Sequence, residues 1–101
     1  MGHWQSTIPR VDEENIRKEV KRFPVVMYTK ARCPYCIKAK QLLDKENIEY
    51  KEHDLDLHER FHPNDHQSYV NGLICVTKQT LVPQIFICGN FIGLFSVFCS
   101  V

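Results

Sequence analysis

The chain has 101 residues, 44% of them hydrophobic, and a formal charge of +1, so it is sized for one domain with a modest core of its own. The even charge balance gives no case for a nucleic-acid or membrane-surface partner, and no apolar run is long enough to cross a bilayer. Five cysteines with one close pair do not make a secreted disulfide framework. The start of the chain lacks a signal-like apolar run, and Asp12-Glu13-Glu14 argues against a transit peptide, so a reducing, cytoplasmic setting is expected.

Residues 1–10 read as a flexible lead and 11–101 as a single domain. Acidic Asp12-Glu13-Glu14 followed by Ile16, Val20 and Phe23 predicts a short amphipathic helix that Pro24 stops. Val25–Tyr28 predicts a buried strand, and residues 34 to about 46 a helix with Ala39, Leu42 and Leu43 on its apolar side and Asn47 at its exit. Ile48–Leu55 alternates as a second strand. Pro63 forbids one continuous helix through Asp56–Thr77, but a helix starting near Pro63 and carrying Tyr69, Val70, Leu73 and Ile74 fits. Gln84–Cys88, a Gly89-Asn90 turn and Phe91-Ile92 predict a hairpin.

Between the first strand and its helix lies Cys33-Pro34-Tyr35-Cys36. A helix start exposes unpaired N–H groups and a positive dipole end, which favour the thiolate that does thiol chemistry. Pro34 suits the first helical position, where no N–H is needed. One turn stacks Cys36 under Cys33 at a Cβ separation of about 5–6 Å, close enough to bond after a small adjustment. The local charge agrees. Val20–Leu43 contains no Asp or Glu but has Lys21, Arg22, Lys30, Arg32, Lys38 and Lys40, whereas the acids crowd between Asp44 and Asp65. Thiol–disulfide exchange is the chemistry this pattern points to.

These residues resemble the dithiol glutaredoxins. The matching pieces are Tyr28-Thr29-Lys30, the Cys33–Cys36 motif, Ala39-Lys40 with Leu42-Leu43, Val82-Pro83-Gln84-Ile85-Phe86-Ile87, and Phe91-Ile92-Gly93. Together they cover roughly residues 23–55 and 77–93. The resemblance implies an α/β, thioredoxin-like fold: a small mixed four-stranded sheet flanked by helices, with the final helix short or missing. It implies a glutathione-disulfide oxidoreductase in which Cys33 is the nucleophile and Cys36 the resolving thiol. Lys30 would hold the glycine carboxylate of glutathione and Tyr35 would pack against the tripeptide. Pro83 would be cis, and Val82 would offer its backbone to the bound peptide. Glutathione is the implied co-substrate. The implied partners are disulfide-bearing or glutathionylated proteins, with the glutathione reductase system acting indirectly, and a monomer is expected. The alternatives are a glutathione-ligated iron–sulfur cluster carrier, which proline after the first cysteine disfavours, and a weakly active relative.

The match departs from the family in three places. Leu81 stands where the family often has threonine. Gln67 and Gln79 are the candidates for the helix residue that contacts glutathione. After Gly93 the chain reads Leu94-Phe95-Ser96-Val97-Phe98-Cys99-Ser100-Val101, where the family has a second glycine and an acid opening a helix that binds the γ-glutamyl carboxylate. Outside the match, His58, His62 and His66 recur every four residues, a metal-binding face if helical. Pro63 breaks that helix, so exposed loop histidines and no metal are expected. Cys33 and Cys36 find no second pair at zinc spacing. Cys75 and Cys88 are expected to be inert core residues, and Cys99 exposed.

Overall fold

A computed structural model describes residues 10–94. In chain order it comprises α1 (Glu13–Glu19), β1 (Val25–Thr29), α2 (Pro34–Lys45), β2 (Lys51–Asp54), α3 (Leu55–Phe61), α4 (His66–Thr77), β3 (Gln84–Ile87) and β4 (Asn90–Leu94). The sheet order is β2-β1-β3-β4, with β1 and β2 parallel and the other pairs antiparallel. This is the expected mixed four-stranded sheet flanked by helices. The question of a final helix falls on residues 95–101, as the expected lead falls mostly on 1–9, outside the described residues.

Every residue of β1 is buried, because both faces of the sheet are covered. Strand alternation divides its side chains. Val26 and Tyr28 join Ile16, Val20, Leu55, Tyr69, Leu73 and Phe86 beneath α1 and α4. Val25 and Met27 join Ile85 and Ala39 beneath α2, with Leu42, Leu43 and Tyr50 at the margin.

Three boundaries differ from the sequence reading. Asn47 ends α2 as expected, in the left-handed region (φ 56°). Its N–H bonds the Asp44 carbonyl, and the Ile48 N–H bonds the Leu43 carbonyl. This closure consumes Ile48, so β2 starts only at Lys51. The predicted strand also overran its other end. The Asp54 carboxylate accepts the N–H groups of Asp56 and Leu57, turning the chain into α3, a helix absent from the sequence reading. Beyond it, Pro63 lies in a turn and α4 begins at His66 rather than near Pro63. Phe23 lies past α1, is 44% exposed, and sits under the Lys51 ammonium rather than in the core.

The hairpin turn is Cys88-Gly89, one residue earlier than expected. Both residues have positive φ (50° and 80°), as a type I′ turn requires, and Asn90 pairs with Ile87. That geometry leaves Cys88 exposed, not in the core. Cys75 is half-buried, and its thiol donates to Glu13 Oε1 at 2.9 Å. The bond to this carboxylate raises the Cys75 pKa.

Glu19 is the polar centre of the α1–α4 side. The hydroxyls of Tyr28 (2.7 Å) and Tyr69 both donate to its Oε1. His53 Nε2 lies 3.8 Å from the same oxygen, buried and without a hydrogen-bond partner among the described residues. Burial lowers the His53 pKa, outweighing the pull of Glu19 in the other direction. The unfolded chain therefore takes up this proton first as pH falls through about 6.5, so the contribution is intact above that value and declines below it. The urea midpoint should hold above pH 7 and fall on acidification, with a limiting slope for this one group of about 1.4 kcal/mol per pH unit. His53→Gln should flatten the profile. A wild-type midpoint that rises on acidification would mean that the Glu19 ion pair prevails over burial.

Candidate active site

The site is built where β1 delivers the chain to α2. Thr29 ends β1, and Arg32 turns the backbone through positive φ (57°), a conformation uncommon outside glycine. Cys33 then sits as the N-cap of α2 in extended conformation, with Pro34 in the first turn. The Cys33 Sγ accepts the Cys36 N–H at 3.1 Å, the position a serine or aspartate oxygen takes at other helix starts. The two sulfurs are joined as a disulfide with the Cα atoms 5.2 Å apart. Cys33 is half-buried at the rim, whereas Cys36 is 1% exposed beneath it. Of the two, only Cys33 offers an incoming group an approach.

The loop before β3 faces this pair. The Val82–Pro83 peptide bond is cis, and the Val82 carbonyl oxygen lies 3.7 Å from Cys33 Sγ. Pro83 is buried and Val82 half-buried. Leu81, before them, is 64% exposed. Lys30 is exposed on the β1–α2 loop, and Tyr35 is 49% exposed in the first turn of α2 with Lys38 Nζ 5.2 Å from its ring centroid. The motif and the Val82-Pro83 pair therefore meet, although Cys36 and Val82 are 46 positions apart in the sequence.

The sequence reading missed several side chains that hold this arrangement. Asp56, in the first turn of α3, accepts the Ala31 N–H at 2.7 Å and so ties down the β1–α2 loop. Its signal was the Asp54-Leu55-Asp56 run, legible as a helix start but divided between a strand ending at Leu55 and the segment that follows from Asp56. Gln84 is 1% exposed, and its Nε2 donates to the carbonyls of Gln79 and Leu81, which fixes the loop carrying Val82. Lys40, counted above among the motif's cations, is engaged elsewhere, at 2.7 Å from Glu52. Glu52 also accepts the Thr29 hydroxyl at 2.6 Å. Burial alone would raise the Glu52 pKa, but these two partners outweigh it and hold the carboxyl below its usual range. The two glutamine candidates do not stand out. Gln67 is exposed and bonds Asn71 along α4, and Gln79 is exposed, with backbone contacts to Thr77 and Gln84. A hollow of about 740 Å³ between Phe23–Val25 and Asn47–Lys51 opens at the other end of β1, away from the cysteines.

A mixed sheet with a cysteine pair at a helix start, opposed by a cis-proline loop, defines a thioredoxin-like dithiol protein. Within that class, the glutaredoxin family model matches residues 25–92, and the chain belongs to the glutaredoxin family. It is 37% identical over 78 residues to glutaredoxin-2 of Schizosaccharomyces pombe, covering 77% of this chain and 66% of that protein. It is 38% identical over 69 residues to glutaredoxin-C2 of Arabidopsis thaliana, covering 68% and 58%. The chain thus spans less than two thirds of the length of these curated relatives. Its fold superposes on the holo form of glutaredoxin C1 from Populus tremula x tremuloides with a TM-score of 0.75 and 29% identity, covering 86% of this chain and 81% of that one. On a buckwheat glutaredoxin–glutathione complex the TM-score is 0.73 at 28% identity, covering 86% and 74%. Among the described residues no helix is long and apolar enough to cross a membrane.

Proposed function

We propose that this chain reduces protein disulfides and protein–glutathione mixed disulfides at the expense of glutathione. The observation that carries the reading is the position of Cys33. Its sulfur caps α2, takes an amide N–H at 3.1 Å and lies 3.7 Å from the carbonyl of Val82. In the reduced state the same amide and the helix dipole would favour a thiolate there. That thiolate attacks the glutathione sulfur of a mixed disulfide. The S–S electron pair leaves with the protein sulfur, which takes a proton, and Cys33 is left glutathionylated. A second glutathione thiolate attacks that adduct, frees Cys33 and departs as glutathione disulfide. With a protein disulfide, Cys33 forms a mixed disulfide with the target and Cys36 attacks it. This releases the reduced protein and leaves the Cys33–Cys36 disulfide, which two glutathiones reduce in turn.

Lys30 supplies the cation for the glycine carboxylate, and Tyr35 supplies an exposed ring for the tripeptide to pack on. The Val82 backbone pairs with the peptide as one added strand, and Pro83 supports it. Glutaredoxin potentials of about −200 to −230 mV lie near or above the cytosolic glutathione poise, so that pool can drive the cycle. The reading is tested by coupling reduction of a glutathione mixed disulfide to glutathione oxidation. Turnover that saturates with glutathione is expected, and no turnover above the uncatalysed exchange overturns it.

Thiolate formation has its own test. With Cys75, Cys88 and Cys99 replaced by serine, alkylation of reduced Cys33 should reach half its maximal rate below the free-thiol pH of about 8.5. A midpoint at or above that value would show that the helix start does not activate the sulfur.

A further inference from the structure

Of the three histidines that the redox chemistry leaves unused, His62 is the exposed loop residue expected, whereas His58 and His66 lie on helices. All three gather where α3 turns into α4. His58 and His66 are half-buried, and only His62 is exposed. The His58 ring stacks on Tyr69, with centroids 3.9 Å apart and planes 12° from parallel, and the Tyr69 hydroxyl is in turn bonded to Glu19. The His62 N–H closes α3 on the His58 carbonyl at 2.8 Å, and its ring lies 5.0 Å from that of His58. The turn through Pro63 returns the chain so that His66 Nδ1 stands 3.0 Å from His58 Nδ1. A polar hollow of about 430 Å³ adjoins His58 and His62, lined also by Asp12 and Asp65 among others, with His66 outside its lining.

We propose that His58 and His66 chelate a divalent transition-metal ion of the imidazole-preferring class through their Nδ1 atoms. The site is distinct from the cysteine pair. Two neutral rings this close share one proton along the Nδ1···Nδ1 line. A cation can bridge the two nitrogens from beside that line if the proton moves to Nε2 of its own ring, which leaves both rings neutral and both Nδ1 lone pairs free. Metal–imidazole bonds of about 2.0–2.1 Å hold two nitrogens about 2.9 Å apart at a right angle and about 3.4 Å apart at the tetrahedral angle. The observed 3.0 Å lies at the right-angled end, which favours nickel or copper over zinc. The Tyr69 stack orients the His58 ring, as outer-shell contacts do for metal-bound imidazoles. Among the described residues no three His, Cys, Asp or Glu side chains form a ready-made set, so the pair would supply two ligands and solvent the rest.

The test is a nickel titration of the full chain in its disulfide form, in which Cys33 and Cys36 offer no thiolate. It is followed by histidine-selective NMR and by calorimetry. Paramagnetic broadening should strike the His58 and His66 rings before the other histidines, with one ion bound per chain. His66→Gln should weaken binding roughly tenfold or more, as loss of one arm of a two-nitrogen chelate requires, while glutathione-coupled turnover stays unchanged. Replacing Cys75 and Cys88 with serine should leave the affinity unchanged. The proposal is overturned if broadening begins at other residues, if His66→Gln binds as well as wild type, or if the serine variant loses the ion. Absence of binding at millimolar nickel also overturns it and leaves the pair as an imidazole hydrogen bond. The ring mapping is done on wild-type protein, so it holds even if the variant folds poorly.

Discussion

Cys33→Ser should abolish reduction of both glutathione mixed disulfides and protein disulfides, whereas Cys36→Ser should keep the first activity and lose much of the second. The asymmetry follows from burial and from the helix start together. Cys36 is 1% exposed and lies beneath its partner, so an incoming sulfur reaches only Cys33. Serine at position 33 preserves the cap, because its oxygen accepts the same amide, so the loss would belong to the nucleophile and not to the fold. The mixed-disulfide route needs one protein thiol and external glutathione, so Cys36 is dispensable there. The measurement is the pair of coupled assays on both variants, with thermal unfolding as the folding control. Equal loss of mixed-disulfide turnover in the two variants would sink the assignment of roles.

Gly72→Ala should destabilise the fold by about 1–3 kcal/mol, lowering the melting temperature by roughly 4–8 °C per kcal/mol. On propensity alone the change should help, since alanine is favoured over glycine within a helix by about 1 kcal/mol. Packing overrules it. A Cβ on Gly72 would stand 2.6 Å from the carbonyl carbon and oxygen of Asp12 and 3.0 Å from the Glu13 nitrogen, all of them backbone. Backbone cannot rotate aside as a side chain does, so α1 has to move off α4. That shift pulls on the Asp12 N–H bond to the Ser68 carbonyl (3.0 Å) and on the Tyr69–Glu19 bond. An unchanged or raised melting temperature would mean that α1 adjusts freely, and the close helix contact would then carry little of the stability.

What the sequence disclosed, and what it withheld, follows from the range of the interactions. Val25–Tyr28, the cysteine helix and the Asn47 exit are specified by neighbours along the chain, and all were legible. Val82-Pro83 was legible through the resemblance alone, since nothing in its spacing from Cys33 says that the two meet. The turn at Cys88-Gly89 was displaced by one residue because local preference favours Gly-Asn for positive φ, and the Ile87–Asn90 pairing overrides it at the expense of an uncommon φ at Cys88. The α3 helix was hidden because Asp54 serves at once as the last residue of β2 and as the cap of α3, and alternation continued through it. The histidine cluster was misread for a related reason. Pro63 does break the helix, but the turn it creates folds His66 back against His58 instead of parting them.

The sheet order has a consequence for a chain emerging from the ribosome. β1 needs β3 on one side, and β3 is made more than fifty residues later, after three further helices. Until Gln84–Ile87 has left the exit tunnel, β1 has only its parallel neighbour β2 to pair with, and Ile85 and Phe86 are missing from the two cores. The cysteine pair, by contrast, is complete as soon as residue 36 is out. A nascent chain therefore carries both of its redox sulfurs well before the Val82 loop that will face them, and the order of synthesis separates possession of a reactive thiol from possession of a site that selects its substrate.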